Sequence, residues 1–589
     1  MTELTGKKTQ TKAAGAVGTP AAPAGRKELM MKKQAMNPFL PIDTYIPDAE
    51  PHVFGDRIYL FGSHDTEGGK RYCAEEDYLV FSAPLDDLSD WRCDGVSYES
   101  SQALGYKEGG QNDLYAPDVV RGNDGRYYMY YNLDGNSPER GHSMVQVAVS
   151  DRPEGRYEYY GYVKNSDGTP YGEYLDGDPA VINDDGVIRL YHGWSLSMVA
   201  AGAHEQASAQ GQAAAGSADA SEQAEFVQNA EAAKQKMRSQ QDAAQQAQPQ
   251  MPEPGTPAMA YALKGVYKML FGREGEAVDK LEYPLMGANT VALEDDMLTV
   301  SGKMHRIIPG QFDTPKDSSF YGHAFYEASS IRKINGIYYF IYSSENSNEL
   351  CYATSRYPDR DFVYGGTIIS NGDVGYLGRR PQERLNMTAN NHGSLECVNG
   401  QWYIFYHRQT HNSTFSRQAC AEKVEILEDG SIPQVECTSC GLNDGPLKAE
   451  GTYSAVYACN ITNGRMPHAT NTMVNADIPY ITHDGDERFI TNIKDGTLIG
   501  FKYFDLRGAK KLSIKARGEA GTFIVACDEA CSRPIGGISG KASKSGETGW
   551  RCGSMALDLS GVENPAYAPL YLKFAGEGPA ELLEITFTE

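Results

Sequence analysis

No stretch of about eighteen consecutive apolar residues occurs in the chain, so it carries no α-helical transmembrane span. The first 36 residues lack the apolar core of a secretion signal, and their Ala/Gly/Thr/Lys composition predicts a disordered tail and a cytoplasmic protein. The eleven cysteines are odd in number and scattered, and Cys437-Thr-Ser-Cys440 has no second pair at zinc-finger spacing. That favours an inert pair of reduced thiols over a redox or metal site. No Asp/Asn-rich calcium loop of the EF-hand type is present. Basic residues are scarce: 54 Lys and Arg against 78 Asp and Glu give a formal net charge of −24. Such a balance disfavours polyanionic partners, with no nucleic acid and no membrane surface expected, and is compatible with a neutral ligand such as a sugar.

Tyrosine, by contrast, is abundant, with 38 copies in 589 residues, a length sufficient for two or more domains. Much of it falls in a recurring unit. From Tyr321 to Ser344 the sequence reads YGHAFYEASSIRKINGIYYFIYSS, an acidic residue, a short run, an Asn-Gly turn and an aromatic-rich strand. Asn-Gly between two apolar runs predicts a hairpin, because both residues accept positive φ. GDRIYLFGS, DGRYYMYYN, DGVIRLYHG and NGQWYIFYH repeat the pattern. Counting back about eleven positions from Tyr59, Arg189, Tyr338 and Tyr403 reaches Asp48, Asp178, Glu327 and His392, and Asp118 lies about ten before Tyr128. Five hairpins with an ionisable residue at one place predict a repeat architecture. As blades around an axis, they would bring four carboxylates and a histidine to one mouth of a central channel. Packing gives no reason to gather like charges, whereas chemistry does.

Taken in order, the first three repeats follow one another at sixty to seventy residues, a length suited to four-stranded blades. An Ala/Gln/Glu-rich insertion, about 198–284, then interrupts a blade without adding one and predicts a marginal helix or disorder. Its more apolar end, MAYALKGVYKMLFGRE, predicts packing on its own chain, with a partner subunit as the alternative. After an acidic, Gly/Pro-rich boundary near residue 445, short alternating strands run to Glu589 and predict an antiparallel β-sandwich. The expected fold is therefore all-β: a disordered tail to residue 36, a five-bladed β-propeller over 37–444 and a β-sandwich over 445–589.

The motifs IPDAEPHVFGDRIYLFGSHD, YAPDV, LDGDPAVINDDG, FYEASSIRKINGIYYFIYS and NNHGSLECVNGQWYIFYHR, in this order, resemble glycoside hydrolase family 43. The resemblance spans about residues 37 to 430 outside the insertion. It implies a five-bladed propeller that hydrolyses α-L-arabinofuranosides or β-xylosides with inversion. It also implies Asp48 as general base, Glu327 as general acid and Asp178 as the residue that tunes and orients the acid. Inversion needs one carboxylic acid on the leaving oxygen and one carboxylate activating water across the sugar, with the carboxyl groups roughly 6.5–9.5 Å apart. Glu50 and Asp43 compete with Asp48 for the base, and Asp176 competes with Asp178.

Asp118 falls where the resemblance implies a substrate contact. His392 is either a core histidine or, as the resemblance implies, a group on the propeller axis that holds a metal such as calcium through waters or hydrogen-bonds within the site. Arg408 could donate to sugar hydroxyls or form a structural ion pair. Trp194 could stack on a sugar ring or pack a blade. No cofactor is expected for the chemistry, only a structural calcium near the axis. The C-terminal part resembles the β-sandwiches behind this catalytic domain, including family 6 carbohydrate-binding modules, which implies sugar binding or bracing of the propeller. The expected activity is an exo-acting α-L-arabinofuranosidase on small arabinose- or xylose-containing oligosaccharides. β-Xylosidase, endo-arabinanase and a non-catalytic propeller lectin are the alternatives, the lectin having no use for three convergent carboxyl groups.

Overall fold

The computed structural model describes residues 34–133, 144–171, 177–197, 286–469, 472–474, 476–540 and 549–589, with isolated positions between 199 and 262. The expected disordered tail up to residue 33 and nearly all of the expected insertion lie outside the described residues.

Five antiparallel sheets account for the first two thirds of the described chain. The first contains β1 (Glu50–Phe54), β2 (Arg57–Phe61), β3 (Tyr78–Pro84) and β4 (Arg92–Tyr98). The second contains β5 (Leu114–Arg121), β6 (Tyr127–Leu133), β7 (Val145–Ser150) and β8 (Glu158–Tyr162). The third contains β9 (Ala180–Asp184), β10 (Val187–Trp194), β11 (Gly287–Leu293) and β12 (Val300–Pro309). β10 pairs directly with β11, so the chain leaves this sheet after its second strand and re-enters it in register. The fourth contains β13 (Phe325–Ile334), β14 (Ile337–Ser344), β15 (Glu349–Ser355) and β16 (Val363–Ser370). The fifth has three strands, β17 (Leu395–Val398), β18 (Gln401–Gln409) and β19 (Arg417–Val424).

The aromatic richness of these strands follows from their burial on both faces, since successive side chains point to opposite sides of a sheet. On β14, Tyr338, Phe340 and Tyr342 join Tyr191 and Ile308 of the third sheet in one core. Tyr339 and Ile341 join Leu395, Ile404 and Tyr406 of the fifth sheet in another. Equivalent cores lie between sheets one and two, two and three, and five and one. The five cores thus close a ring, and all-β sheets arranged so fit a propeller.

Residues 447–588 supply two six-stranded sheets that share one core, built from Ile490, Ile514, Leu582 and Ile585 on one side and Ile499, Phe501, Phe523 and Leu572 on the other. Order extends earlier than expected, because Met36 is buried in this core and Gln34 Nε2 donates to Tyr453 Oη at 2.8 Å. All eleven cysteines are free; Cys437 and Cys440 give their thiols to different carbonyls, of Ser370 and Tyr503.

Candidate active site

Asp48 precedes β1 by two residues, Asp178 precedes β9 by two, and His392 precedes β17 by three, so each stands at the head of the inner strand of its sheet. Asp48 and Asp178 both adopt positive φ, 58° and 49°, an uncommon conformation for residues with a side chain. Glu327 lies inside β13, where the pairing slips on both sides of it and Ala328 takes φ 68°. Such a bulge re-aims a side chain out of the regular alternation. Here it turns the carboxyl into the mouth.

Four of the five residues picked out by the repeat pattern meet: Asp48, Asp178, Glu327 and His392. His392 Nδ1 lies 3.8 Å from Asp48 Oδ1 and 3.9 Å from Asp178 Oδ2. Asp178 Oδ2 accepts the Ala328 N–H at 2.8 Å, fixing it to the residue after Glu327. Trp194 sits at the end of β10 with its ring 6.4 Å from that of Tyr326, and Ser195 N–H donates to the Tyr326 carbonyl at 2.8 Å. The indole therefore forms part of the wall beside Glu327.

Electrostatics separates the carboxyl groups. Burial alone would raise Asp48, but Arg417 opposes it with a 2.9 Å contact to Oδ1, and His407 and His392 add to that effect. The net result is a carboxyl far below its usual range, ionised at any working pH. Glu327 is driven the other way, well above the carboxylate range, first by burial and then by the charges of Asp178 and Asp48. Asp178 is raised as well, by burial first and by Asp48, against the opposing effect of His392. Two carboxyl groups pushed apart in this way are the arrangement of an acid and a base.

The competing residues are resolved by their partners. Glu50 Oε1 accepts from Arg332 Nη1 at 2.8 Å and Ser330 Oγ at 3.0 Å, so its charge is consumed within the ring of strands. Asp43 lies on the loop before β1 and acts on Arg488 of the C-terminal sheets. Asp176 lies outside the described residues.

Two expected substrate contacts are corrected. Asp118 is not at the head of its strand but inside β5, opposite Tyr130. Five residues separate β5 from β6, whereas two separate β1 from β2, so the same count back along the sequence falls short of the head and stops inside the strand. Its carboxylate takes the N–H groups of Val119 and Val181, each at 2.6 Å, and sits 2.6 Å from His52 Nε2. Asp118 thus ties the first three sheets together. Arg408 donates to the carbonyls of Ala458 and Val456 at 2.8 and 2.6 Å and to Gln418 Oε1, which makes it a brace to the C-terminal sheets.

Among the described residues, the groups of three possible ligands whose donor atoms close within 4.8 Å of one another do not include His392. Its Nδ1 lies within 4 Å of a carboxylate oxygen of Asp48 and of Asp178, a donor set short of the six to eight oxygens of a protein-built calcium cage.

Several site residues were missed. Arg417, fully buried, spans Asp48 and Asp65, with Nε 2.8 Å from Asp65 Oδ2, and lies over the Tyr72 ring at 4.7 Å. His407 Nδ1 accepts the Asp48 N–H at 3.3 Å, and Asn390 hydrogen-bonds Glu327. The GSHD ending of the first repeat already displayed Asp65, but nothing local marks Arg417 as its partner.

Comparison with known proteins bears on this geometry. The Glycosyl hydrolases family 43 profile matches residues 35–236 and 280–432, leaving out part of the insertion and the C-terminal sheets. The chain belongs to glycosyl hydrolase family 43. A xylosidase/arabinosidase of Thermoclostridium stercorarium is 38% identical over 94% of this chain and 99% of its own. Xylosidase/arabinosidase 43A of Humicola insolens is 26% identical over 62% of this chain and 88% of its own. Among solved structures, a family 43 arabinoxylan arabinofuranohydrolase from Bacillus subtilis, in complex with cellotetraose, aligns over 93% of this chain and 97% of its own at 18% identity and a TM-score of 0.42. The family 43 chain described here is a glycosidase.

Proposed function

We propose that this protein is an inverting, exo-acting glycoside hydrolase that releases terminal pentose units from arabinose- and xylose-containing oligosaccharides, with α-L-arabinofuranosides as the preferred substrates. The observation that carries the reading is the opposite electrostatic fate of two carboxyl groups in one mouth: Asp48 held ionised by Arg417, Glu327 held protonated by burial and Asp178. In this mechanism Glu327 gives its proton to the glycosidic oxygen as the bond to the anomeric carbon breaks. Asp48 takes a proton from a water that attacks the opposite face of the sugar. Asp178 keeps Glu327 protonated and, through the Ala328 N–H, holds the bulge that presents it. His392 moderates the repulsion between the two aspartates, and Trp194 offers a face for the sugar ring. Two carboxyl groups suffice for this chemistry without a cofactor.

β-Xylosidase activity is the second reading, supported by relatives named for both activities. The cyclic order of the five sheets supports a five-bladed propeller over 37–444. The shared core of the two six-stranded sheets supports a separate β-sandwich over 445–589. Its bonds from Arg408 and Gln34 favour a bracing role for it.

The test is hydrolysis of paired aryl glycosides, α-L-arabinofuranoside against β-D-xylopyranoside, by the wild type and Asp48→Asn. Activity on the arabinofuranoside, lost in the variant, and release of the inverted anomer by NMR are expected. Turnover by Asp48→Asn near that of the wild type would remove Asp48 from the base role.

A further inference from the structure

Two residues beyond Asp65, the loop between β2 and β3 places Glu67 against two histidines that are remote in sequence. His411 follows β18, and His483 lies in the C-terminal strand Tyr480–Asp484. His411 Nε2 and His483 Nδ1 are 2.9 Å apart, and Glu67 Oε1 is 3.6 Å from the first and 3.4 Å from the second. A tetrahedral ion with ligand bonds of about 2.0–2.1 Å has ligand–ligand edges of about 3.3–3.4 Å. The three observed edges bracket that value.

We propose that Glu67, His411 and His483 bind a divalent transition metal of the Zn²⁺ class and that the bound ion staples the C-terminal sheets to the rim of the catalytic mouth. The orientation of His411 supports this. Its Nδ1 lies 2.8 Å from Thr410 Oγ1, whose single proton is given to the Ser416 carbonyl at 2.9 Å. Nδ1 also has Ser416 Oγ at 3.3 Å, and in the tautomer that gives its ring proton to Thr410, Nε2 presents a lone pair, as second-shell bonds arrange for metal-bound imidazoles. The rings of His411 and His483 are inclined at 59°, which lets two nitrogens converge on one point without stacking. His411 is buried, while His483 keeps 35% of its side-chain surface exposed, leaving an entry path and a fourth position for water. Glu67 is steadied from behind by Tyr45 Oη at 3.0 Å and by both ends of the Arg488 fork at 3.1 and 2.7 Å. One imidazole pair and a carboxylate suit Zn²⁺, Co²⁺ or Ni²⁺ rather than calcium, which takes six to eight oxygen ligands.

Two other such groups among the described residues offer one imidazole each in place of two. Around His323, Cys351 Sγ is 4.0 Å from the ring. In the Glu50–His52–Asp118 group, two buried carboxylates join the single imidazole.

The experiment is titration of chelator-treated full-length protein with Co²⁺, followed by visible absorption, and with Zn²⁺, followed by thermal unfolding. The expected result is one equivalent of Co²⁺ with an intense tetrahedral spectrum free of thiolate charge transfer, and a rise in Tm of a few degrees with Zn²⁺. Both signals should be lost in His483→Ala, whose partly exposed position spares the fold, and weakened at least tenfold in Glu67→Gln. No tetrahedral cobalt spectrum in the wild type would overturn the proposal. So would a spectrum and a Tm shift that persist unchanged in both variants, which would move the metal to the free thiols.

Discussion

Asp48 and Glu50 stand two residues apart at the start of the same strand, yet they belong to charge clusters of opposite character. Glu50 is closed into a balanced set: Arg332 and Ser330 on one side, and His52 with Asp118 and two amides on the other. At the mouth, Asp48, Asp178 and Glu327 face one arginine, itself shared with Asp65, and the imidazoles of His392 and His407. The inner cluster pairs its carboxyl groups with a guanidinium, an imidazole and amides, although burial and Asp118 still raise Glu50. The outer cluster leaves a carboxyl uncompensated, and the result is an acid that keeps its proton. Charges that packing would remove are retained where a substrate must be protonated.

Glu327→Gln attacks the outer cluster most directly. Turnover of substrates with poor leaving groups should fall by about 10²–10⁴-fold, and less for activated aryl glycosides that need little protonation. Equal losses on both would count against Glu327 as the acid. Stability should move the other way. A carboxyl whose folded pKa is raised contributes most below its unfolded pKa of about 4 and loses that contribution as pH rises through the folded value. At neutral pH the neutral amide escapes this cost, so the Tm of Glu327→Gln should exceed that of the wild type.

Arg332→Met makes the reverse cut. It leaves Glu50 buried without its cation, which should cost about 3–5 kcal/mol in chemical denaturation. Turnover per folded molecule should stay within a few-fold of the wild type. A large loss of turnover with unchanged stability would erase the distinction between the clusters.

Asp178→Asn gives the smallest and most diagnostic effect. Removing its charge lowers the pKa of Glu327, so the basic limb of the kcat/KM profile should shift to lower pH. The acidic limb, set by protonation of Asp48, should stay low because Arg417 still depresses it. A basic limb that does not move would show that Asp178 does not tune the acid.

The legibility of the molecule divides along physical lines. Asn-Gly and Asp-Gly turns and aromatic alternation are local, and they located every inner hairpin. Where the turn between paired strands holds two residues, counting back reached Asp48, Asp178 and His392, and Glu327 across its bulge. Where it holds five, the same count misplaced Asp118. Trp194 was legible as an aromatic at a strand end, with only its neighbour Tyr326 showing that it walls the site.

By itself, then, the sequence determined the strands, the repeat and the convergence of an ionisable set, because turn chemistry and side-chain alternation act over a few residues. Tertiary structure alone decided which carboxylate stays charged. Arg417 reaches Asp48 from 369 positions away, and Arg332 reaches Glu50 from 282. The pKa of a buried group is set by burial and by charges a few ångströms off, and ring closure, not chain proximity, supplies both.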